Sequence, residues 1–229
     1  MPKYFFDVAS PVLTGDTAHH LINVMRVKPG DNLILCDGAC TDFTAVIESV
    51  KKYEVVYKIL SESSSLTEPR VFITLYQALP KGDKLDLIVQ KCVELGVSRI
   101  VPVETARCVS KISGTKKMAR LQKVAQSAAE QSMRGIIPQV CDLVPFAKAE
   151  KSAGAIVAYE KETEVMLNQL PSDAPNLDVW IGPEGGFTQE EITTLVSHGA
   201  KTVSLGPRIL RTETAAIATV AQVVMLADR

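Results

Sequence analysis

The chain has 229 residues, 46% of them hydrophobic and 22% charged, with a formal net charge of −1. That is enough for one large domain or two modest ones, and the composition excludes a disordered or fibrous chain. The near-neutral charge argues against a general nucleic-acid binder, and no apolar run approaches the length of a membrane span.

From Lys3 to Leu60 the pattern is mostly strands. Tyr4-Phe5-Phe6 is a short apolar run, and Asp16 or Thr17 is placed to cap one short helix through Val24. Pro29-Gly30-Asp31 is a turn, followed by the run Leu33 to Cys36 and the hairpin signal Asp37-Gly38. Phe43 to Val50 and Val55 to Leu60 alternate as two more strands. Roughly five short strands around one helix predict a small closed β-barrel domain over residues 1–68. Ser61 to Pro69 (SESSSLTEP) reads as the linker.

Beyond it the period changes. Val71 to Tyr76 predicts a strand, and Asp83 to Leu95 carries apolar residues at helical spacing before Gly96. Ile100 to Val103 is a strand and Lys116 to Ser132 a helix. Three further apolar runs, Ala155 to Ala158, Val179 to Ile181 and Thr202 to Leu205, are separated by helical patterns. Residues 69–229 therefore predict an α/β domain with a mainly parallel sheet covered on both faces. Thr188 and Glu191 form a capping-box pattern, and Gly199 ends the helix they start. From Ala215 to Ala227 only Thr219 and Gln222 are polar. A helix apolar all round is buried on more than one side, either at the domain centre or against a second subunit.

Between Thr105 and Ala129 lie Arg107, Lys111, Lys116, Lys117, Arg120 and Lys123 and no acid. Without i, i+4 acidic partners this run reads as a local phosphate-facing patch on a neutral protein. The five cysteines, Cys36, Cys40, Cys92, Cys108 and Cys141, are odd in number and scattered. No His or second Cys pair completes a zinc site, so no metal is expected. They read as reduced thiols, mostly buried, in a chain with no signal-peptide pattern, which predicts a cytoplasmic protein.

Two apolar runs break into Gly-Pro loops: Val179-Trp180-Ile181 into Gly182-Pro183-Glu184-Gly185-Gly186, and Thr202 to Leu205 into Gly206-Pro207. Arg208-Ile209-Leu210-Arg211-Thr212-Glu213-Thr214 then leads into the last helix. Both loops are expected at the carboxyl ends of neighbouring strands, the edge where open α/β sheets bind ligands. Neither phosphate-binding motif is present, and Glu184 in the first loop disfavours a triphosphate.

IGPEGGFTQEEI and VSLGPRILRTETA resemble the two C-terminal signatures of the ribosomal RNA small subunit methyltransferase E family, of the SPOUT class. KGDKLDLIVQKCVELGVSRIVP, AEQSMRGIIPQV and an HxxxVxR pattern at His20, Val24 and Arg26 extend the resemblance over the whole chain. The resemblance implies a PUA-like RNA-binding barrel, a SPOUT α/β domain with a deep trefoil knot, and a homodimer. The activity implied is methyl transfer from S-adenosylmethionine to N3 of a uridine in 16S rRNA. A near-neutral protein gains its specificity from shape, so the assembled 30S subunit is the expected substrate.

Matched to the signatures, Leu79, Gly182, Pro183, Glu184, Gly185, Gly186, Leu205, Gly206, Ile209, Leu210 and Thr212 are the expected cofactor contacts. Gly185 is expected to leave room for close backbone approach. Arg211 is the expected catalytic group, stabilising the anion that develops on the uracil. Thr212 and Glu213 either orient it or cap the last helix. Lys3, Arg26, Arg107, Lys116, Lys117, Arg120 and Arg134 are the expected RNA contacts. His20 reads as a satisfied core residue. The base is unassigned: Glu94, Glu130, Glu184 and solvent are all in reach by motif position. Leu121 stands where the family more often has tryptophan, and Lys3 where arginine is commoner. Other readings are a different SPOUT enzyme, such as a tRNA ribose methyltransferase, and a non-catalytic RNA-binding or ribosome-assembly protein. A small-molecule nucleotide enzyme is disfavoured by the missing phosphate motif.

Overall fold

A computed structural model describes residues 3–110, 115–169 and 174–228. Backbone contacts divide the chain into two units, residues 1–68 with 129–137, and residues 69–128 with 138–229.

The first unit is a five-stranded sheet of β1 (Lys3–Phe5), β2 (Val12–Leu13), β3 (Asn32–Cys36), β4 (Thr41–Val50) and β5 (Val55–Ser64), ordered β1-β3-β4-β5-β2. Among the described residues its two end strands do not pair, so the expected closure of a barrel is not seen in the hydrogen bonds. Inward-facing Leu33, Leu35, Phe43, Ala45, Ile47, Val55 and Tyr57 form its core with Leu21 of the helical segment. That segment is α1 (Gly15–His20), continued by a wider turn through Met25. Its N-cap is Thr14 rather than Asp16 or Thr17, and no side chain caps it. The Asp37-Gly38 turn is as expected. Gly38 takes φ +77, and the Asp37 carboxylate accepts from the Ala39 and Thr41 amides at 2.7 and 3.0 Å.

The expected linker is partly strand. Ser61 to Ser64 pair with Thr44 to Thr41 of β4, because ladder bonds come from the backbone and tolerate a run of exposed serines. The first unit also takes in residues 129–137, which sequence periodicity assigns to the second. Gly135 donates its amide to Glu68 at 2.8 Å and accepts from the Cys40 amide at 3.0 Å.

The second unit is built on β6 (Phe72–Ala78), β7 (Arg99–Glu104), β8 (Gln139–Val140), β9 (Val144–Pro145), β10 (Ile156–Ala158), β11 (Asn176–Ile181) and β12 (Lys201–Val203), all parallel. The order is β12-β10-β11-β6-β7-β8, with β9 also on β7. Its helices are α2 (Lys84–Glu94), α3 (Thr115–Gln131), α4 (Gln189–Ser197) and α5 (Thr212–Ala227). Tyr76 stacks on the fully buried Trp180 at 4.3 Å between ring centroids, at the centre of one core cluster. Short β8 and β9 carry too few residues for any periodicity to reveal.

Strand order corrects one expectation. β11 and β12 are not neighbours; β10 lies between them, so their loops start about 10 Å apart. Sequence adjacency fixes neither spatial adjacency nor order once a crossover returns to the sheet. The α4 capping box forms in full: Thr188 Oγ1 accepts from the Glu191 amide at 3.2 Å, and the Glu191 carboxylate accepts from the Thr188 amide at 2.8 Å. α5 packs on α2, β11 and β6 through Ala216, Thr219, Val220 and Val223, while Ile217, Ala221 and Val224 stay half-buried and Met225 is exposed.

Candidate functional site

Because the sheet is parallel, the loops after β6, β7, β11 and β12 all leave its carboxyl edge. The order reverses direction between β6 and β11, and that switch point is where an open α/β sheet offers a crevice. Three elements are tied together there by one hydroxyl. Thr212 Oγ1, on the first residue of α5, donates to the Gly182 carbonyl after β11 at 2.6 Å. It accepts from Gln77 Nε2, in β6, at 3.0 Å. Gln77 is fully buried, and its Oε1 has no partner among the described residues. Leu79 follows, 1% exposed, with its amide on the Val103 carbonyl at 3.0 Å.

The first loop is folded tightly on itself. A Cβ on Gly182 would lie 3.3 Å from Gly186 backbone and from the Phe187 ring, and Gly186 holds φ +67 with the Glu160 carboxylate over it. Pro183 is buried beneath. At Gly185 the neighbour is Arg107, whose Cβ stands 3.2 Å from where a side chain would start. Arg107 thus packs against the face of Gly185 from which a side chain would project. Arg107 donates to the carbonyls of Gly185 at 2.8 Å and Phe187 at 3.3 Å, and the adjacent Ala106 amide donates to Glu191 at 2.8 Å.

The second loop is the open one. Gly206 takes φ +105, which costs a glycine little, and a Cβ there would meet nothing within 4 Å. Among the described residues none of the N–H groups of Leu205, Ile209 and Leu210 donates to the chain. Leu205 and Leu210 are half-buried, and the Ile209 side chain is 88% exposed. Free backbone donors therefore lie beside half-buried apolar side chains.

Arg211 is the N-cap of α5, exposed, and makes no side-chain cap. An Asn, Asp or Ser in its place would stabilise the helix by about 1 kcal/mol, and a cation there opposes the helix dipole. The two nearby carboxylates do not hold it. Glu184 and Glu213 both pair with Lys84 Nζ, at 3.1 and 3.2 Å. Glu184 also accepts from the Lys81 amide at 3.1 Å. Partial burial works against its charge, but the amides of Lys81 and Glu184 and the Lys84 ammonium outweigh it and hold the carboxyl below its ordinary value. That makes Glu184 a poor proton acceptor near neutrality. Glu94 is paired with Lys91 at 2.9 Å.

A family model described as an RNA methyltransferase domain matches residues 67–224, and one described as an RNA methyltransferase PUA domain matches 13–60. The Bacillus subtilis ribosomal RNA small subunit methyltransferase E is 34% identical over 94% of this chain and 93% of its own length. The chain belongs to the ribosomal RNA small subunit methyltransferase E family. Among solved structures, the family member from Neisseria gonorrhoeae bound to S-adenosylmethionine is 33% identical, with a TM-score of 0.87 over 96% of this chain and 95% of that one. A putative methyltransferase from Legionella pneumophila, in complex with the same cofactor, is 34% identical with a TM-score of 0.86 over 97% and 95%. The PUA-like unit and the SPOUT-like parallel-sheet unit expected from the resemblance are therefore the family's architecture.

The expected RNA contacts of this family member do not form one set. Lys3 is 2% exposed, with its ammonium on Asp42 at 2.7 Å, Ser65 at 3.1 Å and the Met133 carbonyl at 3.0 Å. Arg134 is also 2% exposed and makes a two-pronged pair with Glu68. A phosphate would have to displace a carboxylate from each, so these cations are placed to hold the first unit together. Arg26, at φ +53 after the helical turn, is exposed, as are Lys116 and Lys123, while Lys117 is half-buried. Arg120 pairs with Asp86 of α2 at 2.6 Å, an acidic partner that the helix's own sequence could not reveal. Lys111 lies outside the described residues. His20 is exposed against the Tyr4 ring rather than buried in the core. Leu121 is fully buried, so its departure from tryptophan acts on packing and not on base stacking. Two of the five cysteines, Cys36 and Cys92, are buried, and burial lifts the Cys36 thiol to about 11, far from reactive.

Sequence reasoning missed Gln77 and Lys84. A legible signal existed for Lys84: it opens α2, where a cation opposes the helix dipole, so its place calls for partners outside the helix. Among the described residues there is no cluster of metal-ligating groups, and no helix is long and apolar enough to cross a membrane.

Proposed function

We propose that this protein methylates N3 of a uridine in 16S rRNA, using S-adenosylmethionine, on the assembled 30S subunit. The observation that carries the reading is Arg211: an exposed guanidinium at the end of the open loop, held by neither Glu184 nor Glu213. S-adenosylmethionine, when bound, supplies the electrophilic methyl group. Leu79, the Gly182–Gly186 loop, Leu205, Gly206, Ile209 and Leu210 would hold it, and Thr212 would keep the Gly182 carbonyl and the start of α5 in register. The uracil N3–H proton would go to solvent and N3 would take the methyl group that the cofactor supplies, the sulfonium sulfur keeping the bonding pair. Arg211 faces the uracil oxygen on which charge develops, and a planar fork of donors suits that anion. No carboxylate need serve as base if the guanidinium lowers the uracil's own pKa.

The knotted threading expected of the class belongs to this reading, as does a two-fold dimer through α5, whose second apolar face is only half-buried. Arg26 and Lys116 are exposed to meet phosphate, and Lys117, next to Lys116 in the chain, is half-buried. Replacing Lys116 and Lys117 by alanine should weaken RNA binding and lower the slope of log K against log salt by roughly 0.7–0.9 for each phosphate no longer neutralised. An unchanged slope would make α3 a solvated face. A near-neutral protein depends on shape for specificity, so labelled methyl transfer should be faster into 30S subunits than into naked 16S RNA. Equal rates on the two would remove the assembled particle from the proposal.

A further inference from the structure

The edge that carries the second unit's loops holds four charges whose pairing is asymmetric. Lys84 bridges Glu184 and Glu213 at 3.1 and 3.2 Å, while Arg211, two residues before Glu213, pairs with neither. The Glu213 side chain is only 14% exposed, and it lies in the first turn of α5, where the helix dipole favours an anion. In the chain Arg211 is the cation nearest to it. Capture by that carboxylate would leave the guanidinium occupied when a substrate anion needed it.

We infer that Lys84 is a positioning residue that occupies both carboxylates and thereby keeps the Arg211 guanidinium free for the substrate. The inference rests on the proposed role of Arg211. With Lys84 present the four groups sum to zero charge, and both carboxylates are committed. Without it the sum is −1, and the remaining cation is Arg211. The hydrogen bond to Glu184 and then the ion pair with Glu213 hold the Lys84 ammonium above its ordinary pKa, so it stays charged and is a poor proton acceptor. Its position also has a local cost, since a cation at the first position of α2 opposes that helix's dipole. A residue that is locally unfavourable and bridges two loops of a site is better explained by the site than by its helix.

The test is a double-mutant cycle on methyl transfer to small-subunit RNA, with cofactor affinity measured by calorimetry and folding checked by circular dichroism. Lys84→Met should lower kcat about tenfold, the scale of one recaptured ion pair near a partly shielded site. Adding Glu213→Gln should restore most of that loss, because the capturing carboxylate is gone. In an Arg211→Ala background, Lys84→Met should have little further effect on kcat. An unchanged kcat in Lys84→Met, no recovery with Glu213→Gln, or a full additional loss in the Arg211→Ala background would each overturn the inference. A wild-type kcat in Arg211→Ala alone would instead remove the role of Arg211, so the two failures are distinguishable. A merely structural lysine would lower cofactor affinity and kcat together, without rescue.

Discussion

Replacing Arg211 by alanine is expected to lower kcat by about a hundred- to a thousandfold, with little change in S-adenosylmethionine affinity. That range is typical for loss of one donor aimed at developing negative charge. The split between kcat and affinity follows from geometry: the side chain is exposed and caps no helix amide, so removing it leaves the cradle intact. Helix α5 should even gain slightly, because alanine at the N-cap removes a cation from the positive end of the dipole. Arg211→Lys should recover only part of the rate, since a point charge returns without the planar fork. If cofactor binding and turnover fell in parallel, Arg211 would be shaping the loop instead.

Arg134 should give the largest effect on stability. Its side chain is 3% exposed and that of Glu68 18%, and the two meet in the first unit with Gly135 donating to the same carboxylate. Breaking such a pair from one side leaves an uncompensated charge largely out of water, at a cost of about 3 kcal/mol or more. Arg134→Met should therefore lower the midpoint of chemical denaturation substantially. Removing both charges, with Glu68→Met added, should recover part of the loss, because no lone charge remains. An RNA-gripping arginine would behave otherwise: stability would hold, and only RNA affinity and its salt slope would fall.

What was legible in the sequence was what a local period or a cap could report. The Thr188–Glu191 box reads directly because its two bonds lie within one turn, and the apolar runs of β10 and the end of β11 read because strands buried on both faces are continuously apolar. The Gly-Pro loops leave the carboxyl edge of the sheet, as their place after apolar runs predicts. Partners were not legible. Nothing in VWI or TVSL tells that β10 lies between them, and nothing in a run of serines tells that β4 will pair with it. Lys3, Arg120 and Arg134 looked alike as cations, yet each meets an acid far along the chain: Asp42, Asp86 and Glu68. Lys84 and Gln77 were missed for the same reason: their roles lie in contacts across three loops, and periodicity within a helix or strand carries no record of them. The family signatures supplied the chemistry that spacing alone could not.

The most direct measurement is the identity of the methylated nucleoside. Small subunits from a strain lacking this protein, incubated with the purified chain and labelled S-adenosylmethionine, should yield 16S RNA whose digest carries the label in N3-methyluridine. Primer extension on the same RNA should gain a stop at one uridine, because a methyl group on N3 blocks Watson–Crick pairing. Label in a ribose methyl group, label in another base, or no transfer at all would contradict the account.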